Sequence, residues 1–422
     1  MPESALPHWR DRRFLVLLAL GFSAGVPLPL TAFTLRQWMS ESNIPLTAIG
    51  LTALIGLAYS LKFAWAPVLD HAAPPAFRGL GRRRGWLAVI QPVLALAILA
   101  LGLTDPAMDA TMTVAVAVGV AFLSASQDIV IDAYRIESLA EREQGYGLAC
   151  YVWGYRGALL ASGAGALAMA EFGGWSFAFA MCAAMIGIGF AAVLAGAEPG
   201  RPPPEAPPGW AARLRIAIVE PFADFLKRRY WFAILAFVAL FKLGEALAGI
   251  MTAPFYRELG FSRLEVASVS SVFGLFATLA GALAGGWVVA RLGTGRALIL
   301  TGMTQMLSNL MYVALAFAGH DLRMLFAQVG VENFTDGLAD AAFVTYLSAL
   351  TSRSFTATQY ALLSSLAAVP LRTLGASSGW LAATMGWPAF FVLTTVAALP
   401  AMGIMVFLLR RLPPPRPAMA AP

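Results

Sequence analysis

Ionisable side chains lie inside several apolar stretches of this 422-residue chain. The most regular of them form two carboxylate pairs, Asp128-x-x-x-Asp132 and Asp336-x-x-x-Asp340. Residues four apart share a face of a helix, so each pair points two carboxyl groups in one direction. A carboxyl group in a partly dry cavity holds its proton more tightly than in water, so such a pair can carry protons. The alternative interpretation is an ion-pair cluster at the inner end of a helix.

Four basic side chains also lie in apolar stretches: Lys62, Arg156, Lys242 and Arg372. A charge at the centre of a bilayer costs about 2.5–3.5 kcal/mol, so it persists mainly where it faces a water-filled cavity or a partner. Either arginine can bind an anionic substrate group or pair with an acidic side chain. Lys242 and Glu245 are three residues apart, and the two can simply neutralise each other.

Polar and aromatic neighbours extend this candidate set. Gln127 lies beside Asp128, and Glu332 is a further acidic residue inside an apolar stretch. The rings of Tyr59, Trp65 and Tyr155 could stack on sugar rings. A packing role, or a place in an interfacial aromatic belt, is the alternative for each of these rings.

The composition indicates which elements must position these groups. The chain is 59% hydrophobic and 12% charged, with a mean hydropathy of +0.72. Soluble domains are about 45–50% apolar and about 25% charged, so a water-soluble enzyme is excluded. A spanning helix needs about 20 residues. Apolar runs of that length predict an all-α polytopic membrane protein with twelve transmembrane helices, near 14–35, 48–69, 86–104, 110–131, 147–170, 175–197, 230–252, 264–290, 296–317, 322–350, 357–382 and 386–409.

The basic residues predict the orientation of these spans. Most of the 29 Lys and Arg side chains fall at the ends that are cytoplasmic if both termini are cytoplasmic. This is the bias that membrane topology follows, and it explains the net charge of +6 without nucleic acid. Cys150, Cys182 and the three histidines form no spaced cluster, so neither a disulfide framework nor a metal site is expected.

A Pro-rich stretch separates two halves that resemble each other. The predicted domains are a six-helix bundle over 1–197, a cytoplasmic linker over 198–229 and a second six-helix bundle over 230–422. Within the linker, apolar residues at spacings of three and four predict an amphipathic surface helix, with a plain linker as the alternative. The two carboxylate pairs, and an arginine followed seven residues later by glycine, recur in both halves. Two parallel six-helix repeats match the major facilitator architecture.

The sequence also bears on the energy source. It contains no G-x-x-x-x-G-K-[ST] pattern and no recognisable Ser/His/Asp set, so an ATPase or other enzyme is not expected. Transport must then be driven by an ion gradient or by the substrate gradient. Protons require only titratable carboxyl groups, so no cofactor is expected.

Four strings carry a resemblance to a known family. They are Gly21–Leu28, Tyr59–Asp70, Leu80–Trp86 and Ser124–Arg135, the last of which contains the specific sequence SQDIVIDAYR. Together they resemble the AmpG family of muropeptide permeases, within the major facilitator superfamily. The resemblance is strong over about 14–165 and diffuse in the second half.

This resemblance implies a function. It implies proton-driven import of N-acetylglucosaminyl-1,6-anhydro-N-acetylmuramyl peptides across the bacterial inner membrane, from periplasm to cytoplasm. It further implies a role in cell-wall recycling and, in some bacteria, in β-lactamase induction and antibiotic resistance. Lys62, Gln127 and Asp128 are the positions carried over as functional. The inner-loop motif is stretched here, because an insertion separates Asp70 from Arg82–Arg84.

The resulting expectations divide the candidate residues into three roles. Proton coupling is assigned to Asp128 and Asp336. Substrate binding is assigned to Lys62, Gln127, Arg156, Tyr59, Trp65, Tyr155, Lys242 and Arg372. Structural or gating roles are assigned to Asp70, Asp132, Arg135, Glu245 and Asp340.

The expected partners are an anhydromuropeptide, protons and the lipid bilayer, for a monomer working by alternating access. Two alternatives stay open. One is a transporter of another amphipathic anion, such as acetyl-CoA or a drug. The other is a membrane receptor that binds muropeptide without moving it.

Overall fold

The structure is a computed structural model that describes residues 11–71, 74–139, 144–199, 226–227, 229–350, 368–369 and 371–411. Within these ranges the chain is helical and contains no β-strand. The helices of the first half are α1 (Arg12–Gly25), α2 (Pro27–Leu30), α3 (Phe33–Glu41), α4 (Leu46–Leu51), α5 (Leu57–Leu61), α6 (Ala66–His71), α7 (Arg82–Gly102), α8 (Ala110–Ser138), α9 (Gln144–Ser162) and α10 (Ala164–Ala195). Those of the second half are α11 (Trp231–Leu240), α12 (Leu243–Glu258), α13 (Arg263–Val266), α14 (Gly274–Leu292), α15 (Thr294–Ser308), α16 (Leu310–Ala318), α17 (Leu322–Ala349), α18 (Ser378–Met385), α19 (Trp387–Val396) and α20 (Leu399–Arg411).

Eight segments of the described chain are long and apolar enough to cross a membrane, which confirms the all-α polytopic class. They are Arg12–Glu41, Arg82–Gly102, Ala110–Ser138, Cys150–Ala195, Trp231–Glu258, Arg263–Leu292, Thr294–Ala318 and Trp387–Arg411. The segment Cys150–Ala195 covers most of two predicted spans, 147–170 and 175–197. The break between them falls at Gly174, whose φ of +80° is open to glycine but disfavoured for other residues.

Three predicted spans fall outside those eight for identifiable reasons. The span at 48–69 is a succession of short α and 3-10 helices, whose longest apolar part is Leu46–Leu61. Helix α17 is 28 residues long, which is sufficient, but it carries several charged side chains. The span at 357–382 is described only from 368 onwards, where it includes the start of α18.

The described helices cluster into two compact units. One comprises the described parts of Met1–Ile44 and Ile55–Pro204, and the other those of Pro45–Leu54 and Glu205–Pro422. The bundle limits proposed from sequence stay predictions, and Pro45–Leu54, which they assign to the first bundle, clusters with the second unit. Most of the predicted linker, including its amphipathic segment, lies outside the described residues.

Each unit has its own apolar core. In the first unit, Leu17 of α1, Leu87 of α7 and Ile131 of α8 are completely buried together. In the second unit, the rings of Phe241 and Phe343 stack at 4.9 Å, in a core shared by α11, α15, α17 and α20. These cores hold in place the helices that carry the embedded charges.

Close helix contacts are made through glycines in the second unit. A Cβ on Gly285 of α14 would lie 2.5 Å from the carbonyl oxygen of Leu338 on α17, and one on Gly281 would meet the backbone of Phe334. Small residues at such spacing let two backbones approach within a membrane. The sequence Gly281-Ala-Leu-Ala-Gly285 predicts such a contact, and the structure confirms it.

Replacing Gly285 by valine should therefore destabilise the second unit. The added side chain has no room against the α17 backbone, so we expect a loss of about 2–3 kcal/mol. Gly286→Val is the matched control, because a Cβ on Gly286 meets nothing within 4 Å. Thermal unfolding in detergent measures both variants, and equal melting temperatures would contradict the close contact.

Candidate functional site

Asp128 is an acidic residue embedded in the first unit. It lies on α8, which begins where the side chain of Asp109 accepts a hydrogen bond from the Met112 backbone at 2.9 Å. The Asp128 Oδ1 atom is buried and has no hydrogen-bond partner among the described residues. Lys62 and Asp132 are the charged groups that act on it electrostatically. A buried oxygen in this position calls for a proton or an ordered water.

A tyrosine of α9 lies close enough to this carboxyl group to interact with its charge. Tyr155 on α9 is half-buried and interacts electrostatically with Asp128, Tyr59 and Arg156. The structure therefore places Lys62 and Tyr155 within electrostatic range of Asp128, and Tyr59 within range of Tyr155; a common site stays a prediction. The side chain of Arg156 is exposed in the first unit.

Two other predicted contact residues are engaged in helix packing. Gln127 is completely buried; its Nε2 donates to the Ser23 carbonyl oxygen at 3.1 Å, and its Oε1 accepts from the Ser23 hydroxyl at 3.3 Å. The indole of Trp65 donates to the Ser126 hydroxyl at 3.0 Å. In this conformation Gln127 ties α8 to α1, and its predicted contact with a substrate stays a prediction.

Arginines cluster with two glutamates at one end of the first unit. Arg83 is 3% exposed, and its guanidinium lies 2.6 Å from the carboxylate of Glu137, which Arg82 approaches at 3.2 Å. The carboxylate of Glu198 accepts from the backbone N–H groups of Arg83 and Arg84 at 2.8 and 2.9 Å. It thereby caps the N-terminus of α7, where negative charge is stabilising.

Three of the residues predicted from sequence to have structural or gating roles, Asp70, Asp132 and Arg135, belong to the first unit. Asp132 and Arg135 form a loose pair at 3.7 Å on α8. Asp70 lies on α6, and its side chain is outside the described set, so its gating role stays a prediction. Glu198 was not predicted. The sequence does contain a signal for such a cap. Helix α7 begins with three arginines and has no acidic residue in its first turn, so a carboxylate from elsewhere in the chain is needed to accept from its first N–H groups.

Removing the Glu137 carboxylate should strongly destabilise the first unit. Glu137→Ala removes the carboxylate that lies 2.6 Å from the buried Arg83 guanidinium, and breaking such a pair costs about 3–5 kcal/mol. Glu258→Ala, at an exposed position, is the control and should be nearly neutral. Denaturation in detergent measures the difference; if Glu137→Ala melts like wild type, this pair does not stabilise the fold.

The second unit contains a denser cluster around Lys242. The Lys242 Nζ lies 2.8 Å from Glu245 Oε2 and 2.7 Å from Asp340 Oδ1, and it also donates to Asp336 Oδ1. Gln305 on α15 donates to Glu245 Oε2 at 2.7 Å and to Asp336 Oδ1 at 3.1 Å. We call these five residues the lysine cluster. It joins α12, α15 and α17.

The lysine cluster can hold a proton. Glu245 and Asp336 share the same two donors, Lys242 and Gln305, so one ammonium group faces three carboxyl groups, those of Glu245, Asp336 and Asp340. The Lys242–Glu245 pair predicted from sequence is confirmed, and Lys242 is also the partner of Asp336. Gln305 was not predicted, because one glutamine in an apolar run gives no signal of its neighbours.

Arg372 is the last of the residues that the sequence assigned to substrate binding. Arg372 is half-buried in the second unit, in a helical stretch over 371–375, and its substrate role stays a prediction. Among the described residues, no group of His, Cys, Asp and Glu is arranged to hold a metal ion.

Comparison with known proteins identifies the family. Over residues 13–171 the chain matches a family model described as acetyl-coenzyme A transporter 1. It is 40% identical over 404 residues to the anhydromuropeptide permease of Escherichia coli (strain K12), covering 95% of this chain and 81% of that protein. The chain belongs to the AmpG family. A putative transporter AmpG 4 of Rickettsia felis is 33% identical, with 95% and 97% of the two chains covered.

Solved structures confirm the fold of this AmpG-family transporter. A bacterial homologue of the human lysosomal transporter Spinster, in an inward-facing conformation, superposes with a TM-score of 0.70 at 15% identity, covering 96% of this chain and 98% of that one. A D-xylose–proton symporter gives 0.67 at 11% identity, covering 93% and 95%. The chain is thus a multi-pass membrane transporter with the major facilitator fold, as the sequence repeat and the string SQDIVIDAYR predict.

Proposed function

We propose that this AmpG-family transporter imports anhydromuropeptides, GlcNAc-1,6-anhydroMurNAc peptides, from periplasm to cytoplasm by proton-coupled alternating access. The observation that carries the proposal is the 40% identity, over 95% of the chain, to a relative named anhydromuropeptide permease. The embedded charges of both units support it, because a transporter needs polar groups at membrane depth.

The chemistry of the substrate suits the first-unit residues. A muropeptide carries sugar rings, hydroxyl groups and peptide carboxylates. In the proposal, Lys62 and Arg156 attract the carboxylates, while Tyr59, Trp65 and Tyr155 contact the sugar faces. Small-molecule binding sites are commonly lined by aromatic and apolar side chains, and a few polar groups among them fix the orientation of the ligand.

Proton coupling is assigned to Asp128 in the first unit and Asp336 in the second. The unpartnered oxygen of Asp128 and the donors shared by Asp336 and Glu245 support this assignment. Substrate binding at Lys242 or Arg372 would change the balance of charge around Asp336. The proposal includes a monomer in the inner membrane, both termini in the cytoplasm and a role in cell-wall recycling.

The test is uptake of radiolabelled anhydromuropeptide into proteoliposomes. With an inward proton gradient, we expect accumulation above the outside concentration, and a protonophore should abolish it. Empty liposomes give the background. Binding without uptake would indicate a receptor and would contradict transport.

A second candidate substrate follows from the family model matched over residues 13–171. Its description, acetyl-coenzyme A transporter 1, favours an acyl-CoA as the alternative anion. Competition separates the two: unlabelled anhydromuropeptide should block uptake of its labelled form, and acetyl-CoA should not. Stronger competition by acetyl-CoA would reverse the assignment.

A further inference from the structure

Helix α17 carries a continuous row of polar side chains. Gln328, Glu332, Asp336 and Asp340 follow one another at intervals of four residues. Four residues are slightly more than one helical turn, so these side chains lie along nearly one face. The row extends for about 18 Å along the axis, more than half the thickness of a bilayer core.

One end of the row is a buried hydrogen-bonded pair. The Tyr256 hydroxyl on α12 donates to Gln328 Oε1 at 2.7 Å, and both side chains are almost completely buried. The Gln328 Nε2 atom is also buried and makes no hydrogen bond of regular geometry among the described residues, although the Tyr312 side chain interacts with the same amide. A buried amide N–H in this state is a candidate site for an ordered internal water, because native proteins rarely leave such a donor unsatisfied.

Glu332 lies between this pair and the lysine cluster. Its Oε2 accepts from Asn333 Nδ2 at 2.8 Å, and the same Nδ2 also donates to the Val329 carbonyl oxygen at 2.9 Å. Glu332 interacts electrostatically with Tyr256 on one side and with Asp336 and Lys242 on the other. Tyr312 of α16 also interacts electrostatically with Glu332.

The first unit provides an internal comparison. In the corresponding helix α8, the repeat places Val120, Ser124, Asp128 and Asp132 where α17 has its polar row. Only the two aspartates are shared. Gln328 and Glu332 have no polar equivalent of the same type in α8. The first unit thus has the aspartate pair without them, so the pair does not depend on these two residues.

We propose that α17 carries a proton relay, in which Glu332 passes protons between a water held at Gln328 and the Asp336 carboxylate of the lysine cluster. This inference rests on the proposed proton coupling. A hydronium ion at the water site gives its proton to the Glu332 carboxylate and becomes neutral water; Glu332 then passes the proton to the Asp336 carboxylate, which later releases it to water. Each transfer breaks one O–H bond and forms another, and nothing is oxidised or reduced. Lys242 stays an ammonium and supplies the positive charge that faces Glu245, Asp336 and Asp340.

Gln328 acts in this scheme as a positioning residue and not as a carrier. The Gln328 amide does not take up a proton near neutral pH, but it can orient the water toward Glu332. Tyr256 fixes that amide by occupying its oxygen. The two variants that test the relay are therefore Glu332→Gln, which removes the carrier, and Gln328→Met, which removes the water site.

The first arm measures transport in proteoliposomes. Glu332→Gln keeps an oxygen for Asn333 but cannot be protonated, so proton-driven accumulation should fall by about tenfold to a hundredfold. Counterflow exchange, which needs no net proton movement, should stay near the wild-type rate. Ser124→Ala, at the corresponding position of the first unit, is the matched control and should change neither. Wild-type accumulation by Glu332→Gln would overturn the relay.

The second arm does not depend on the substrate. Dicyclohexylcarbodiimide reacts with protonated carboxyl groups in apolar surroundings, and mass spectrometry locates the product. We expect labelling at Glu332 that decreases as pH rises, with a shifted pH profile in Gln328→Met. If wild type fails to transport anhydromuropeptide but shows this labelling, the proposed substrate is wrong, while the protonation of Glu332 that the relay requires is supported. An unlabelled Glu332 at every pH would overturn the relay.

Discussion

Replacing Lys242 by methionine should abolish proton-driven accumulation, with a decrease of about a hundredfold or more. Methionine fills a similar volume but leaves Glu245 and Asp336 without their ammonium donor. Removing one partner of a buried ion pair costs about 3–5 kcal/mol, which is large against the stability of most folds. Uptake into proteoliposomes and thermal unfolding in detergent measure the two consequences.

Two further variants sharpen the Lys242 prediction. Lys227→Met removes the same charge from an exposed position and should leave both transport and stability unchanged. Adding Glu245→Gln to Lys242→Met removes one of the carboxylates, so the double variant should recover part of the lost stability without recovering accumulation. Full accumulation by Lys242→Met alone would show that the lysine cluster is not needed for coupling.

The second large effect is expected at Asp128. Asp128→Asn preserves the size of the side chain but cannot bind and release a proton. Accumulation against a gradient should therefore fall by about a hundredfold, while counterflow exchange continues. Lys62 then faces a neutral group, so binding of an anionic substrate in the first unit should be maintained.

Asp132→Asn is the matched control for Asp128. It lies one turn further along α8, its side chain is 45% exposed, and its pair with Arg135 is loose. Exposed pairs of this kind contribute about 0–1 kcal/mol, so the variant should keep nearly the wild-type melting temperature, and any smaller loss of transport would report on the gating role predicted for Asp132. If Asp128→Asn accumulates substrate at the full rate, proton coupling does not use this carboxyl group.

The two units place their repeated aspartates in different electrostatic settings. Asp336 is hydrogen-bonded to Lys242 and Gln305, whereas Asp128 has a buried oxygen without a partner in the described structure. The repeat therefore preserves the residue type and not its surroundings. We expect the Lys242 variant to lose stability as well as coupling, and the Asp128 variant to lose coupling alone.

Several properties follow from the sequence by itself, because they depend on composition or on residues close in the chain. The apolar content predicts a polytopic helical protein, and the string SQDIVIDAYR predicts the AmpG family. The pair Lys242–Glu245 is predicted because residues three apart on a helix are neighbours. The Gly281–Gly285 contact is predicted for the same local reason, from small residues on one helix face.

Only the tertiary structure decided which partners these groups have. Gln305 and Asp336 come from different helices, and so do Glu198 and the N-terminus of α7. In an apolar helix nearly every face looks alike in sequence, so periodicity does not reveal which side packs against a neighbour. Gln127 illustrates the difference: it lies in the most specific string of the chain, yet helix packing buries it against Ser23. Chain-local spacing determines the local pairs, whereas helix packing determines which distant side chains share a proton.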